Sequence, residues 1–175
     1  YFTGILEALA PTDPCRISTL QGSAQCGKTI LATAFCLGSM VMDPCDFLFT
    51  HPTEENAKRW SRLKLAKLIR STPDADAAFP QRTRDSGDAV LFKERVDGRG
   101  SILISGASSP SSLSQVSMRR QVQDDLSKWE TDPKAGDPEQ MADSRSQAFE
   151  DGAKILKVST PLIDPGCRIT RSWKS

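Results

Sequence analysis

Histidine is almost missing from this 175-residue chain: His51 stands alone, beside a single tyrosine and an aromatic content of 6%. A histidine-rich metal centre is therefore excluded. Cysteine offers no substitute, because Cys15, Cys26, Cys36, Cys45 and Cys167 are odd in number, scattered and form no C-x-x-C pair. Neither a zinc site nor a disulfide framework is supported, and reduced thiols in an intracellular setting are the expectation. No apolar run reaches 18 residues, so no transmembrane helix and no membrane partner are expected. A surplus of either charge is also lacking, with Lys+Arg 23 against Asp+Glu 22 and a net charge of +1. Nucleic-acid binding by bulk positive charge is excluded, although a local basic stripe is not. No signal-peptide pattern follows Tyr1, and the end at Arg171-Ser-Trp-Lys-Ser175 carries no turn or stop signal, so a fragment of a longer chain is expected.

What is present is ordinary globular material, 38% hydrophobic and 26% charged, enough for one domain over residues 1–175. Short apolar runs alternate with helical stretches, the habit of an α/β sheet. Strands are predicted at 16–21, 47–50, 121–124 and 154–159, and a β-hairpin at 89–105 around Asp97-Gly-Arg-Gly100. One helical turn is expected within 108–116. Longer helices are predicted at 28–42, stopped by Asp43-Pro44, at 53–70 with Thr53 as N-cap, and from Asp137-Pro138 to about 150. In the second of these, Trp60, Leu63, Ala66 and Ile69 recur every three residues and predict the buried face. Lys58, Arg59, Arg62, Lys64, Lys67 and Arg70 cover the remainder, either as a solvated helix surface or as a DNA-facing stripe.

The sharpest motif is Gly22-Ser-Ala-Gln-Cys-Gly-Lys-Thr29, which matches G-x-x-x-x-G-K-[ST] between a predicted strand and a predicted helix. The residue types fit a phosphate-binding loop. Glycines let successive backbone N–H groups converge on a phosphate, Lys28 reaches its β- and γ-oxygens, and the Thr29 hydroxyl ligates Mg²⁺. Gly22, Ser23, Ala24, Gln25, Cys26, Gly27, Lys28 and Thr29 are thus the expected nucleotide cradle, with ATP and Mg²⁺ as cofactors. Asp124-Asp125, ending a strand candidate, is the matching acid pair. Asp124 is expected to hold the metal and Asp125 to polarise the attacking water, with Glu130 in reserve. Gln121 and Gln123 interrupt the apolar character such a strand usually has. Ser159-Thr160-Pro161 follows the last strand, where a small hydroxyl turn can sense the γ-phosphate and couple hydrolysis to movement.

Taken in order, the loop, His51-Pro-Thr-Glu-Glu-Asn-Ala-Lys-Arg-Trp60, Arg84-Asp-Ser-Gly87, Ser105-Gly-Ala-Ser-Ser109, Asp124-Asp125 and Lys157-Val-Ser-Thr-Pro161 resemble the ATPase domain of the bacteriophage terminase large subunit, lambda-type branch. The resemblance runs from about residue 5 to 169. It implies a P-loop NTPase fold of the RecA/ASCE type: a mainly parallel sheet flanked by helices, with the hairpin ahead of the acid-bearing strand. It further implies an ATP-driven motor that packages double-stranded DNA into a procapsid in the host cytoplasm. The implied partners are a small terminase subunit, a portal protein and other copies of itself in a ring. A nuclease domain C-terminal to Ser175 is implied for the family and is absent from these residues. Many members carry an arginine inside the loop, where this chain has Ala24 and Gln25. Arg84 is then the first candidate for a finger acting in trans on a neighbour, with Arg82, Arg119 and Arg120 in reserve. The alternatives are a superfamily 2 helicase or translocase, which Pro52-Thr53 and Ser159-Thr160-Pro161 also resemble, and a domain that binds nucleotide with little hydrolysis.

Overall fold

The computed structural model describes residues 2–79, 88–114, 116–149, 152–163 and 166–174. Seven strands form one sheet: β1 (Ile17–Gln21), β2 (Phe47–His51), β3 (Asp88–Ala89), β4 (Phe92–Glu94), β5 (Ser101–Gly106), β6 (Arg120–Asp124) and β7 (Lys154–Ser159). Their order is β1-β7-β6-β2-β5-β4-β3. The first five in that order are parallel, while β4 and β3 add an antiparallel margin. The strands ending at Gln21, Ser159 and Asp124 are therefore neighbours, with Gln21 opposite Ser159 and Asp124 opposite Val158. The hairpin exists, but a turn at Val90 and Leu91 shortens its first arm to Phe92–Glu94.

Both faces of the sheet are covered, as parallel strands require. On one face Phe47, Phe49, Ile104, Val122 and Val158 pack against α2 (Lys28–Met42) and against the segment that begins with α3 (Glu54–Trp60). On the other, Leu48 joins Leu113 of α6 (Pro110–Ser114), Ala142 of α7 (Pro138–Ser144) and Ile169 of α8 (Arg168–Lys174). α1 (Thr3–Ala8) leads into β1, and α4 (Ala66–Ser71) and α5 (Pro73–Ala78) complete the connection after α3.

Two expectations are corrected here. The helix starting at Asp137-Pro138 ends at Ser144, its first turn capped by the Asp137 carboxylate accepting the Glu139 N–H at 3.0 Å. The helix capped by Thr53 is not one regular helix either, because a π turn occupies Ser61–Leu65 before α4. At 3.6 residues per turn Leu65 would face roughly 140° away from Trp60. The π turn brings both onto the core side, where they are 0% and 4% exposed, and leaves Leu63 at 56%. Ser61 pins this turn by donating to the Val90 carbonyl at 2.5 Å.

Gln121 and Gln123 are fully buried, and their amide N–H groups find partners, while Gln123 Oε1 has none among the described residues. Gln121 donates to the Ala142 carbonyl at 3.0 Å and the Ser146 hydroxyl at 2.8 Å, and Gln123 donates to Asp143 at 2.6 Å. Asp143 and Glu139 each lie 2.8 Å from the Lys157 ammonium. Burial opposes that lysine's charge, but the carboxylates of Asp143 and Glu139 outweigh it and hold its pKa above the ordinary value. The polar residues of β6 thus belong to a network behind the strand, with Val122 and Asp124 on its other side.

Candidate functional site

At the C-terminal edge of β1 the chain curls through residues 22–27 into α2. Gly27 takes a left-handed conformation (φ +88°) as the N-cap of α2, and Gln25 does so too (φ +59°), which is uncommon without glycine. Lys28, the first residue of α2, is buried at 8% exposure and folds along the loop. Its ammonium donates to the Gly22 carbonyl at 3.1 Å and to the Ser23 carbonyl, and lies 3.6 Å from Cys26 Sγ.

The acid pair ends β6. Asp124 is 6% exposed; its Oδ1 accepts the Asp125 N–H at 3.1 Å, and its Oδ2 lies 3.4 Å from His51 Nδ1. The indole N–H of Trp129 donates to the Asp124 carbonyl at 3.0 Å, anchoring the turn beneath. Asp125 leaves the strand in the left-handed region (φ +52°), a strained position of the kind found at functional sites. Its carboxylate is 2.8 Å from Lys128 Nζ. Glu130 is exposed and lines neither of the two cavities described below.

Ser159, at the end of β7 between the two, joins them. Its carbonyl accepts the Gly22 N–H at 3.2 Å, and its hydroxyl accepts the Ser127 N–H at 3.1 Å while donating to the Thr160 carbonyl at 3.1 Å. Cys167 braces the same turn, 3.3 Å from the Ser127 hydroxyl and accepting the Leu162 N–H at 3.1 Å. Burial raises the pKa of this thiol, but hydrogen bonds from Ser127, Thr170 and Leu162 overcome it and bring the value down to about 6.

Two cavities open along this edge. One, of about 340 Å³, runs over Ala24, Gln25, Gly27, Lys28 and Thr29 to Thr160. The other, of about 270 Å³, is bordered by Thr29, His51, Asn56, Trp60, Asp124 and Asp125. Thr29, Lys64, Asp125 and Lys128 line both, so the two form one cleft. Cations, a hydroxyl and two carboxylates converge there, a set suited to a polyphosphate with a divalent ion.

Lys28, Thr29, Asp124, Asp125, Ser159 and Thr160 are thereby brought to one edge. Arg82 and Arg84 lie outside the described residues. Arg120 is corrected as a reserve finger: it is 2% exposed and bonded to Asp43 at the opposite edge, where Arg119 lies 3.7 Å from the same carboxylate. Sequence reasoning missed His51, Trp60 and Lys64. His51 reaches Asp124 because β2 lies beside β6, and its ring stacks on Phe49 (4.9 Å between centroids), which stacks on Trp60 (4.0 Å). Trp60 in turn donates to the Thr33 hydroxyl at 3.3 Å, which donates to the Thr29 carbonyl at 2.6 Å. The available signal was the polar His51 closing an apolar strand.

A family model described as the phage terminase large subunit gpA, ATPase domain, matches residues 1–175. Among solved structures, the large terminase ATPase domain of Thermus phage P74-26 superposes with a TM-score of 0.58 at 13% identity, covering 90% of this chain and 64% of that one. The large terminase of a thermophilic bacteriophage superposes with a TM-score of 0.64 at 14% identity, covering 91% of this chain and 38% of that one. At such identities the likeness is one of fold. No curated protein matches in sequence. No helix among the described residues is long and apolar enough to cross a membrane.

Proposed function

Since the chain belongs to the phage terminase large subunit family, through its ATPase domain, we propose that it hydrolyses ATP in the cleft at the C-terminal strand edge to drive double-stranded DNA into a procapsid. One observation carries this reading: the phosphate loop, the acid pair and the hydroxyl turn lie along a single edge, with Ser159 bonded to Gly22 of the loop and to Ser127 in the turn that follows the acid pair. In this reading the loop N–H groups hold the β-phosphate and Lys28 leaves its carbonyl partners for the β- and γ-oxygens. Asp125 accepts the proton of the attacking water. Ser159 and Thr160 relay the state of the γ-phosphate to β7.

The residues fit Mg²⁺. Among the described residues no group of three His, Cys, Asp or Glu side chains could hold a metal alone. An ion held chiefly by phosphate oxygens, with the Thr29 hydroxyl and the Asp124 carboxylate, needs only what the cleft has. Bound there, Mg²⁺ supplies neutralising charge to the β- and γ-phosphates. His51 orients Asp124 for that task.

The proposed setting is a ring of subunits on a portal, loaded by a small terminase subunit, in the host cytoplasm. Arg84 of a neighbouring subunit is proposed as a trans-acting finger. Phosphate release by the full-length protein, with and without DNA, tests the reading: DNA-stimulated ATP turnover is expected, and no turnover under either condition overturns it. Arg84→Ala is expected to remove any rise in specific activity on assembly while leaving ATP affinity within about threefold, because a finger acts in the transition state.

A further inference from the structure

We propose that Lys64 supplies in cis the positive charge that the phosphate loop does not carry, its ammonium contacting the γ-phosphate. This inference rests on the ATP-hydrolysis reading above.

The loop has Ala24 and Gln25 where an arginine would reach the transferring phosphoryl group. Four cations border the cleft among the described residues: Lys28, Arg59, Lys64 and Lys128. Lys28 is the loop's own lysine. Arg59 donates to the Asn56 side chain at 3.0 Å, and Lys128 is engaged by Asp125 at 2.8 Å. Lys64 has no hydrogen-bond or ion-pair partner among the described residues. It is also one of the residues common to both cavities, together with Thr29 and Asp125. Those two are the metal-side hydroxyl and the water-polarising acid, so Lys64 borders the point where the γ-phosphate and the attacking water meet.

The backbone explains how a helix surface residue comes to border the cleft. Lys64 lies in the π turn Ser61–Leu65, whose ends are held by buried Trp60 and Leu65 and by the bond from Ser61 to Val90. With both ends fixed to the core, the extra residue bows the intervening side chains outward; Leu63 and Lys64 both line the cleft. π turns of this kind recur at functional sites. A lysine suits the role because its charge is compact and its four-carbon stem adapts to a moving phosphate.

In the step served, the water oxygen bonds to the γ-phosphorus and the bond to the β–γ bridging oxygen breaks. ADP retains the electron pair of that bond. The water proton passes to the Asp125 carboxylate and then to the phosphate released. Lys64 keeps its proton throughout and offsets charge on the γ-oxygens.

The test measures single-turnover phosphate release and the affinities for ATP and ADP in the full-length protein. Lys64→Gln is expected to slow release by about 100-fold, the scale of one charge-stabilising donor. It is also expected to erase part of the preference for ATP over ADP while leaving ADP affinity unchanged. Lys64→Arg keeps the charge and is expected to retain more than a tenth of the rate. Lys134→Gln, which removes an exposed charge remote from the cleft, is expected to change neither. Mixing Lys64→Gln subunits with Lys28→Ala subunits is expected to restore nothing, because the lysine acts on its own nucleotide. Near-normal release by Lys64→Gln, or rescue in the mixed population, overturns the inference while ATP turnover by the unaltered protein keeps the parent reading intact. Absence of turnover in the unaltered protein overturns both.

Discussion

The two edges of the parallel sheet differ in how far their buried polar groups are bonded: among the described residues the unpartnered buried atoms gather toward the C-terminal edge, at Gln21, Thr50, His51 and Gln123, against Arg120 Nε alone at the other. At the N-terminal edge the buried ammonium of Lys154 is saturated. Lys154, 1% exposed, donates to the carbonyls of Ala8 (3.0 Å), Asp13 (2.6 Å) and Cys15 (2.7 Å), while Arg120 closes on Asp43 through its terminal nitrogens and leaves only its Nε without a partner among the described residues. At the C-terminal edge the bonding is incomplete. Gln25 and Asp125 sit in left-handed backbone, His51 Nε2 is buried without a partner, and Lys64 is unpaired among the described residues. Both edges belong to the same strands, so the contrast is not one of core quality. The more fully bonded edge contributes stability; the less bonded one retains bonding capacity for a substrate.

The contrast makes each edge breakable separately. The largest effect is expected from Lys28→Ala, which should reduce ATP turnover by more than about 10³-fold with little change in melting temperature, since the transition state loses its loop cation. Asp125→Asn follows, with phosphate release down by about 10³-fold and ATP affinity within about threefold; asparagine tolerates the left-handed backbone, so stability should hold. Normal turnover by Asp125→Asn alongside failure of Glu130→Gln would transfer the water-polarising role to Glu130. Lys154→Met reverses the pattern. Three carbonyls lose their donor, costing about 2–4 kcal/mol in denaturant unfolding, while turnover per folded molecule is unchanged.

Two glycines sharpen the comparison further. A Cβ on Gly100, just before β5, would lie 2.6 Å from the Cys45 carbonyl oxygen, and one on Gly106, at the other end of that strand, would lie 2.6 Å from the Thr53 carbonyl carbon. Both alanine variants should lose about 1–3 kcal/mol through backbone displacement. Only Gly106→Ala should also slow ATP turnover, because it displaces the start of the α3 segment that carries Trp60 and Lys64. The smallest effect concerns Cys167. Its thiol ionises near pH 6 in the fold against 9.0 ordinarily, so the fold gains stability as pH rises from 6 to 9 and loses it as pH falls through 6. Cys167→Ala should flatten that slope in a pH series of thermal melts.

Legibility in the sequence followed locality. The helix at 28–42 was readable to the residue because Gly27 and Asp43-Pro44 punctuate it, and the strand Lys154–Ser159 because its run is bounded on both sides. The order of phosphate loop, acid pair and hydroxyl turn was readable because each follows a strand. The π turn was not, since a three-residue recurrence of Trp60, Leu63, Ala66 and Ile69 matches a regular helix, and the bond that pins the turn runs from Ser61 to Val90, 29 residues further on. Nor was the place of Gln121 and Gln123, whose partners stand about 20 residues further on in α7. Lys154 depends on carbonyls some 140 residues earlier, a relation no local pattern carries.

The π turn has a consequence for chain length. Regular helix and π turn differ by one residue, so removing Leu63 would let Ser61–Leu65 relax into the α-helix on either side, with Trp60, Leu65 and Ile69 still toward the core. Such a deletion is expected to leave folding intact while taking Leu63 and Lys64 out of the lining of the cleft. Substitutions across this segment and a single deletion within it therefore act on different properties, and an ancestor lacking that residue would have had a sound domain with an emptier rim.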